Sequence, residues 1–79
     1  MDPGDAFGKV LRVARKEAGL TQEELAHAAK VDRTFVSMIE RGERQPTVRV
    51  LFKLADALNT SPVRLVEMTQ QMVQREDAG

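Results

Sequence analysis

The chain has 79 residues, 12 basic side chains against 12 acidic ones and no cysteine, so its formal net charge is zero. That length supports one small domain, which buries only about 60% of the surface its unfolded chain exposes. Without cysteine, neither a disulfide nor a thiolate zinc site can reinforce it, and a second subunit is the common remaining way to bury more. No apolar run approaches the ~20 residues of a membrane span. Met1–Gly8 lacks the basic start and apolar stretch of a secretion signal, so the chain is expected to act in the cytoplasm, away from membranes.

In chain order, Phe7, Val10, Leu11 and Ala14 recur at i, i+3, i+4 and i+7. This spacing predicts a first helix over about Asp5–Ala18, ended by Gly19. Thr21 followed by Glu24 is a capping box, opening a second helix over about Gln22–Lys30 whose face of Leu25, Ala26 and Ala29 is small enough for another helix to cross closely. Asp32 caps a third helix over about Arg33–Arg41, with Val36 and Ile39 as its apolar positions and Gly42 near its end. The polar, basic stretch GERQP then reads as a surface loop. Thr47 caps a fourth helix with an apolar stripe of Val48, Leu51, Leu54, Ala55 and Leu58, ending near Asn59. Ser61 and Pro62 read as N-cap and first residue of a fifth helix running to about Gln74. Residues 75–79 have no reason to be ordered.

Nothing alternates with a strand's period, so the expected fold is all-α: one compact five-helix domain over 1–79. Its helix-turn-helix core spans 21–41 and its dimerisation helix about 62–74. The fifth helix has two apolar edges where its own core needs one. Val63 and Val66 form the first; Leu65, Met68 and Met72, with Val73 between, form the second. The expectation is that Leu65, Met68, Met72 and Val73 make a homodimer seam, with methionine supplying adaptable packing; the alternative is a wide stripe wrapped around the protomer's own core.

The neutral total hides an uneven distribution. Residues 1–29 hold four basic side chains against five acidic, residues 30–53 six against three, and residues 54–79 two against four. The positive excess therefore falls in and just after the third helix. A short helix crossing its predecessor at a tight turn, with Arg33, Thr34 and Ser37 on its polar side, has the geometry that seats a helix in a DNA major groove. The first residues of such a helix approach base edges, and an arginine there pairs bidentately with guanine, worth roughly 1–3 kcal/mol of discrimination. Met38, one turn past Thr34, is placed either to touch a thymine methyl or to pack. Phe35 is placed either to read groove shape or to pack on the second helix.

The segments LTQEELA (20–26), VDRTFVSMIERGERQPT (31–47) and LFKLADAL (51–58) together resemble the Cro/C1-type (XRE) helix-turn-helix regulators, a lambda-repressor-like fold, over about residues 7–67. The small size and the segment DRTFVSMIERG look most like restriction–modification controller proteins, with antitoxin and phage-type repressors close in pattern. The resemblance implies a homodimer on a palindromic double-stranded DNA operator. It also implies phosphate contacts from Gln22 and from the loop carrying Arg41, Arg44 and Gln45, and a structural salt bridge between Arg15 and Glu40. Base-reading positions are then Arg33, Thr34, Phe35, Ser37 and Met38.

Enzyme chemistry finds no support. His27 is the lone histidine, with no cysteine to complete a metal site. Glu23–Glu24 and Glu76–Asp77 are adjacent pairs that point apart on a helix or lie on a tail, and the glycines form no phosphate cradle. No cofactor, metal or small-molecule ligand is expected. From a different class, the near-neutral charge favours a helical protein-interaction module that binds no DNA, which weak salt dependence would reveal.

Overall fold

In the computed structural model, which describes residues 1–78, five α-helices follow in order: α1 (Pro3–Glu17), α2 (Gln22–Ala29), α3 (Arg33–Glu40), α4 (Val48–Ala57) and α5 (Pro62–Ala78). The described residues contain no strand. No described helix is long and apolar enough to cross a membrane.

Side-chain caps set the helix starts. Asp2 accepts the Asp5 N–H at 3.1 Å, with Pro3 opening the helix, so α1 begins two residues before the start at Asp5 that apolar periodicity predicts. A cap and a proline precede the first apolar residue and carry no periodic signal. Thr21 accepts from Glu24 N at 3.1 Å while a Glu24 carboxylate oxygen accepts from Thr21 N at 2.9 Å, which completes the capping box. Asp32, Thr47 and Ser61 cap the remaining three helices through the amides of Thr34, Val50 and Arg64.

The first four helices end alike. A residue one or two positions past each, Gly19, Lys30, Gly42 or Asn59, has a φ between 58° and 76°. The amide after it returns to a carbonyl five residues back: Leu20 to Arg15, Val31 to Ala26, Glu43 to Met38, Thr60 to Ala55. These bonds satisfy carbonyls that a helix end leaves orphaned. Lys30 adopts the left-handed conformation at a cost of roughly 1–2 kcal/mol. The turn between α2 and α3 is too short to be made otherwise.

All five helices contribute to one core, of which Leu11, Leu25, Val36, Ile39, Leu54 and Leu65 are the largest fully enclosed members. Ala26 and Ala29, each 3% exposed, are the small face on which α3 crosses α2. A glycine permits a second close crossing. A β-carbon on Gly8 would stand 2.8 Å from the Glu40 carbonyl oxygen and closer still to that of Ile39, so α1 runs against the backbone of the end of α3.

The predicted seam on α5 is corrected at Leu65, while Met68, Met72 and Val73 keep part of their surface in solvent. Leu65 is 1% exposed and belongs to the protomer's own core; Met68 and Met72, half-buried, pack on that core. Val73 is also half-buried. The more exposed edge is the other one, with Val63 at 75% and Val66 at 50%, joined by Phe52 of α4 at 59%, and Val73 borders it beside Val66. Periodicity shows that α5 has two edges, but only the placement of α1 and α4 decides which one is covered. The expected disordered tail is also corrected: 75–78 continue the helix, while Gly79 lies outside the described residues. A helix anchored by Leu65 propagates at little cost once nucleated. The radius of gyration, 11.6 Å, is what about 2.2·N^0.38 Å allows a compact chain of this size, so α5 lies along the body and not out as an arm.

Candidate nucleic-acid interface

Glu40, the last residue of α3, is the point where three elements are tied together. Arg15 of α1 donates to it twice, Nε to Oε2 at 2.7 Å and Nη2 to Oε1 at 3.1 Å. Its Nη1 donates to the Leu20 carbonyl, which lies in the turn before α2, at 2.8 Å. The side chain of Gln22, first residue of α2, donates to Glu40 Oε1 at 3.0 Å. The Arg15 and Glu40 side chains are only 10% and 4% exposed. The hydrogen bond to Glu40 raises the Arg15 pKa above its ordinary value, so the guanidinium stays charged. A buried pair with every donor matched costs several kcal/mol if one partner is removed. The Arg15–Glu40 bridge ties the end of α3 to α1, and Gln22 ties it to the start of α2.

On the helix so held, Arg33 and Thr34 are exposed at the amino end and Ser37 is half-buried one turn on. Arg33 shares a cleft with Gln22, Thr21 and Arg15, so the amino ends of α2 and α3 open on the same side. Phe35 and Met38 are half-buried, and Phe35 packs against the core.

The loop after α3 is less idle than its composition suggests. Arg41 is paired bidentately with Glu43, Nε to Oε2 at 2.9 Å and Nη2 to Oε1 at 3.2 Å, and its Nη1 also donates to the Ser37 hydroxyl. That pairing raises the Arg41 pKa and lowers that of Glu43. Both side chains are 54% exposed, so exchanging Glu43 for another anion costs Arg41 little. Arg44 and Gln45 are exposed, and the Gln45 amide lies against Gly4 at the start of α1.

The structure thus brings Gln22, Arg33, Thr34, Ser37 and Arg41 around one exposed side of α3. It separates from them Leu65, Met68, Met72 and Val73, which lie on α5. Sequence reasoning missed the Gln22–Glu40 link, the Arg41–Glu43 pair and the close approach at Gly8. A glycine in the middle of an apolar helical repeat was the available signal for the last. The other two join residues whose meeting depends on side-chain course and not on spacing.

The helix-turn-helix family profile matches residues 11–65. The chain is 41% identical over 71 residues to an uncharacterized HTH-type transcriptional regulator, y4dJ, of Sinorhizobium fredii, covering 90% of this chain and 92% of that one. It is 37% identical over 76 residues to the control protein C.SmaI of Serratia marcescens, covering 96% and 88%. The crystal structure of the restriction–modification controller protein C.AhdI from Aeromonas hydrophila superposes with a TM-score of 0.76 at 41% identity, over 77% of this chain and 92% of that one.

Proposed function

Since the chain belongs to the helix-turn-helix family of transcriptional regulators, we propose that it is a homodimeric, sequence-specific regulator of the restriction–modification controller kind, acting on a palindromic operator in the cytoplasm. The observation that carries this reading is the row of exposed Arg33 and Thr34 and half-buried Ser37 on a helix whose far end is held by the Arg15–Glu40–Gln22 network. A reading helix gains specificity only if its side chains arrive already positioned, and that network removes the freedom of α3 to rock.

In this reading Arg33 pairs with a guanine edge, and Thr34 and Ser37 contact a base or a phosphate. Ser37 accepts from Arg41 and keeps its hydroxyl hydrogen for a DNA acceptor. Gln22 spends one amide hydrogen on Glu40 and has a second for a phosphate at the amino end of α2, where the helix dipole already favours an anion. Arg41, Arg44 and Gln45 grip the backbone. Phe35 and Met38, half-buried, line the edge of the contact and serve mainly to seat α3.

The second subunit is taken up by the exposed apolar edge. Phe52, Pro62, Val63 and Val66 line one groove between α4 and α5. A symmetric dimer on a palindrome requires its two copies of α3 about one DNA turn, ~34 Å, apart. Relatives named as control proteins support the controller reading.

Selection from random duplexes with the purified protein tests it. A palindrome with half-sites about one turn apart is the expected product. On that operator Arg33→Ala should lose about 1–3 kcal/mol and relax one base position, while Arg44→Ala weakens operator and scrambled DNA alike. Recovery of no motif by folded protein would refute the proposal.

A further inference from the structure

We propose that the outer side of α1 is a second phosphate-binding strip, formed by Lys9, Arg12 and Lys16, that carries the DNA backbone past the reading helix and its loop. The proposal rests on the DNA-binding reading above. These residues stand at i, i+3 and i+7, one strip of an α-helix, and all three are exposed. None of them is in an ion pair among the described residues.

The packing of α1 decides where the strip faces. Along its length Gly4 lies against Gln45, Asp5 against Gly42, Gly8 against the carbonyls of Ile39 and Glu40, and Arg15 against Glu40. One side of α1 is therefore applied to the end of α3 and to the loop after it. At 3.6 residues per turn, Arg12 follows Gly8 by one turn and Lys16 follows Arg12 by another, with Lys9 just outward of Gly8. The strip thus borders the seam with α3 on its solvent side. On α3 itself Glu40 faces this seam, and Arg41, the next residue, is exposed. In the proposal the cations of α1 and those of the loop flank this seam from its two sides, with the Asp5 carboxylate over Gly42 at its amino end.

The slightly acidic balance of residues 1–29, four basic side chains against five acidic, conceals this surface, because two of the acids are committed to helix caps. Asp2 caps α1 and Glu24 closes the capping box of α2; the Asp5 carboxylate, four residues before Lys9, lies over Gly42 at the amino end of the strip, and Glu23 is exposed in the first turn of α2. Glu17 projects from the other side of α1, two residues past Arg15. Charge complementarity selects the occupant: a duplex backbone presents one negative charge about every 1.7 Å of helix axis, and cations spaced along a helix match a run of phosphates.

The test is the salt dependence of binding. Arg12→Gln/Lys16→Gln keeps the side-chain stems and helix propensity, and both sites are exposed, so the melting temperature should stay at the wild-type value. Affinity for the selected operator and for a scrambled duplex is measured by fluorescence anisotropy across a range of KCl. The slope of log K against log[KCl] should become shallower by about 0.9 for each phosphate no longer neutralised, by the same amount on both duplexes. Lys9→Gln alone should give about half the change of the double variant. A steep wild-type slope left unchanged in all these variants would overturn the strip and leave the DNA-binding reading standing. Wild-type protein that binds neither duplex would overturn both.

Discussion

At Glu40 a single carboxylate receives three donor groups, two from Arg15 and one from Gln22, in a site where its side chain is 4% exposed. Replacing it with an amide of the same size leaves the Arg15 guanidinium buried without a counter-charge. Glu40→Gln should cost about 3–5 kcal/mol, seen as a fall in melting temperature of more than about 10 °C. An unchanged melting curve would mean that the pair is structurally idle. Gly8 is a second residue whose identity is dictated by a neighbour, here the backbone at the end of α3. Alanine is the better helix former by about 1 kcal/mol, so an isolated helix would gain from the change. In the folded protein Gly8→Ala forces α1 and α3 apart. A net loss of about 1–3 kcal/mol is expected from denaturant unfolding, with operator affinity falling as α3 is displaced.

Each of the two central helices has only eight residues, too few to persist alone in water. Their ends are accordingly over-determined: a capping box and a left-handed cap on α2, an Asp cap and a second such turn on α3. The α2 box has a pH signature. Hydrogen bonds from Thr21, first from its backbone amide and then from its hydroxyl, lower the Glu24 pKa below its ordinary value of 4.5. A depressed folded-state pKa contributes stability that is present above the unfolded value and is lost as pH falls through the folded one. Thermal stability should therefore decline on acidification below about pH 4.5. Glu24→Gln, which can still accept the Thr21 amide, should remove that part of the acid dependence while keeping the cap. Identical acid limbs in the two proteins would show that Glu24 does not titrate with folding.

A domain of this size that leaves Phe52, Val63 and Val66 between half and three-quarters exposed has apolar surface to bury against something. Burying it in a second copy would strengthen the fold and double the cationic surface offered to DNA, which compensates for a net charge of zero. Phe52→Glu should give a monomer in sedimentation with an unperturbed fold, since that side chain is 59% exposed. Operator affinity should drop with it while the weak affinity for scrambled DNA persists. A dimer of undiminished strength would locate the subunit contact away from the α4–α5 groove.

Much of this was legible in the residues themselves. Thr21 with Glu24, Asp32 before Arg33, Ser61 before Pro62, and Gly19 and Gly42 past their helices are local features, each satisfied by bonds within a few residues. Local chemistry reads directly from order along the chain, and it determined five helices, their approximate ends and a tight turn between the second and third, though not that Lys30 makes it in the left-handed conformation. Tertiary placement alone decided what depends on distant partners. It turned the Leu65–Met68–Met72 edge of α5 inward and Val63 and Val66 outward, tied Gln22 to Glu40, and laid α1 at Gly8 against the end of α3. A helix's periodicity shows which residues share a face. Which face meets the core, and whose backbone it touches, is settled only when the other helices have packed.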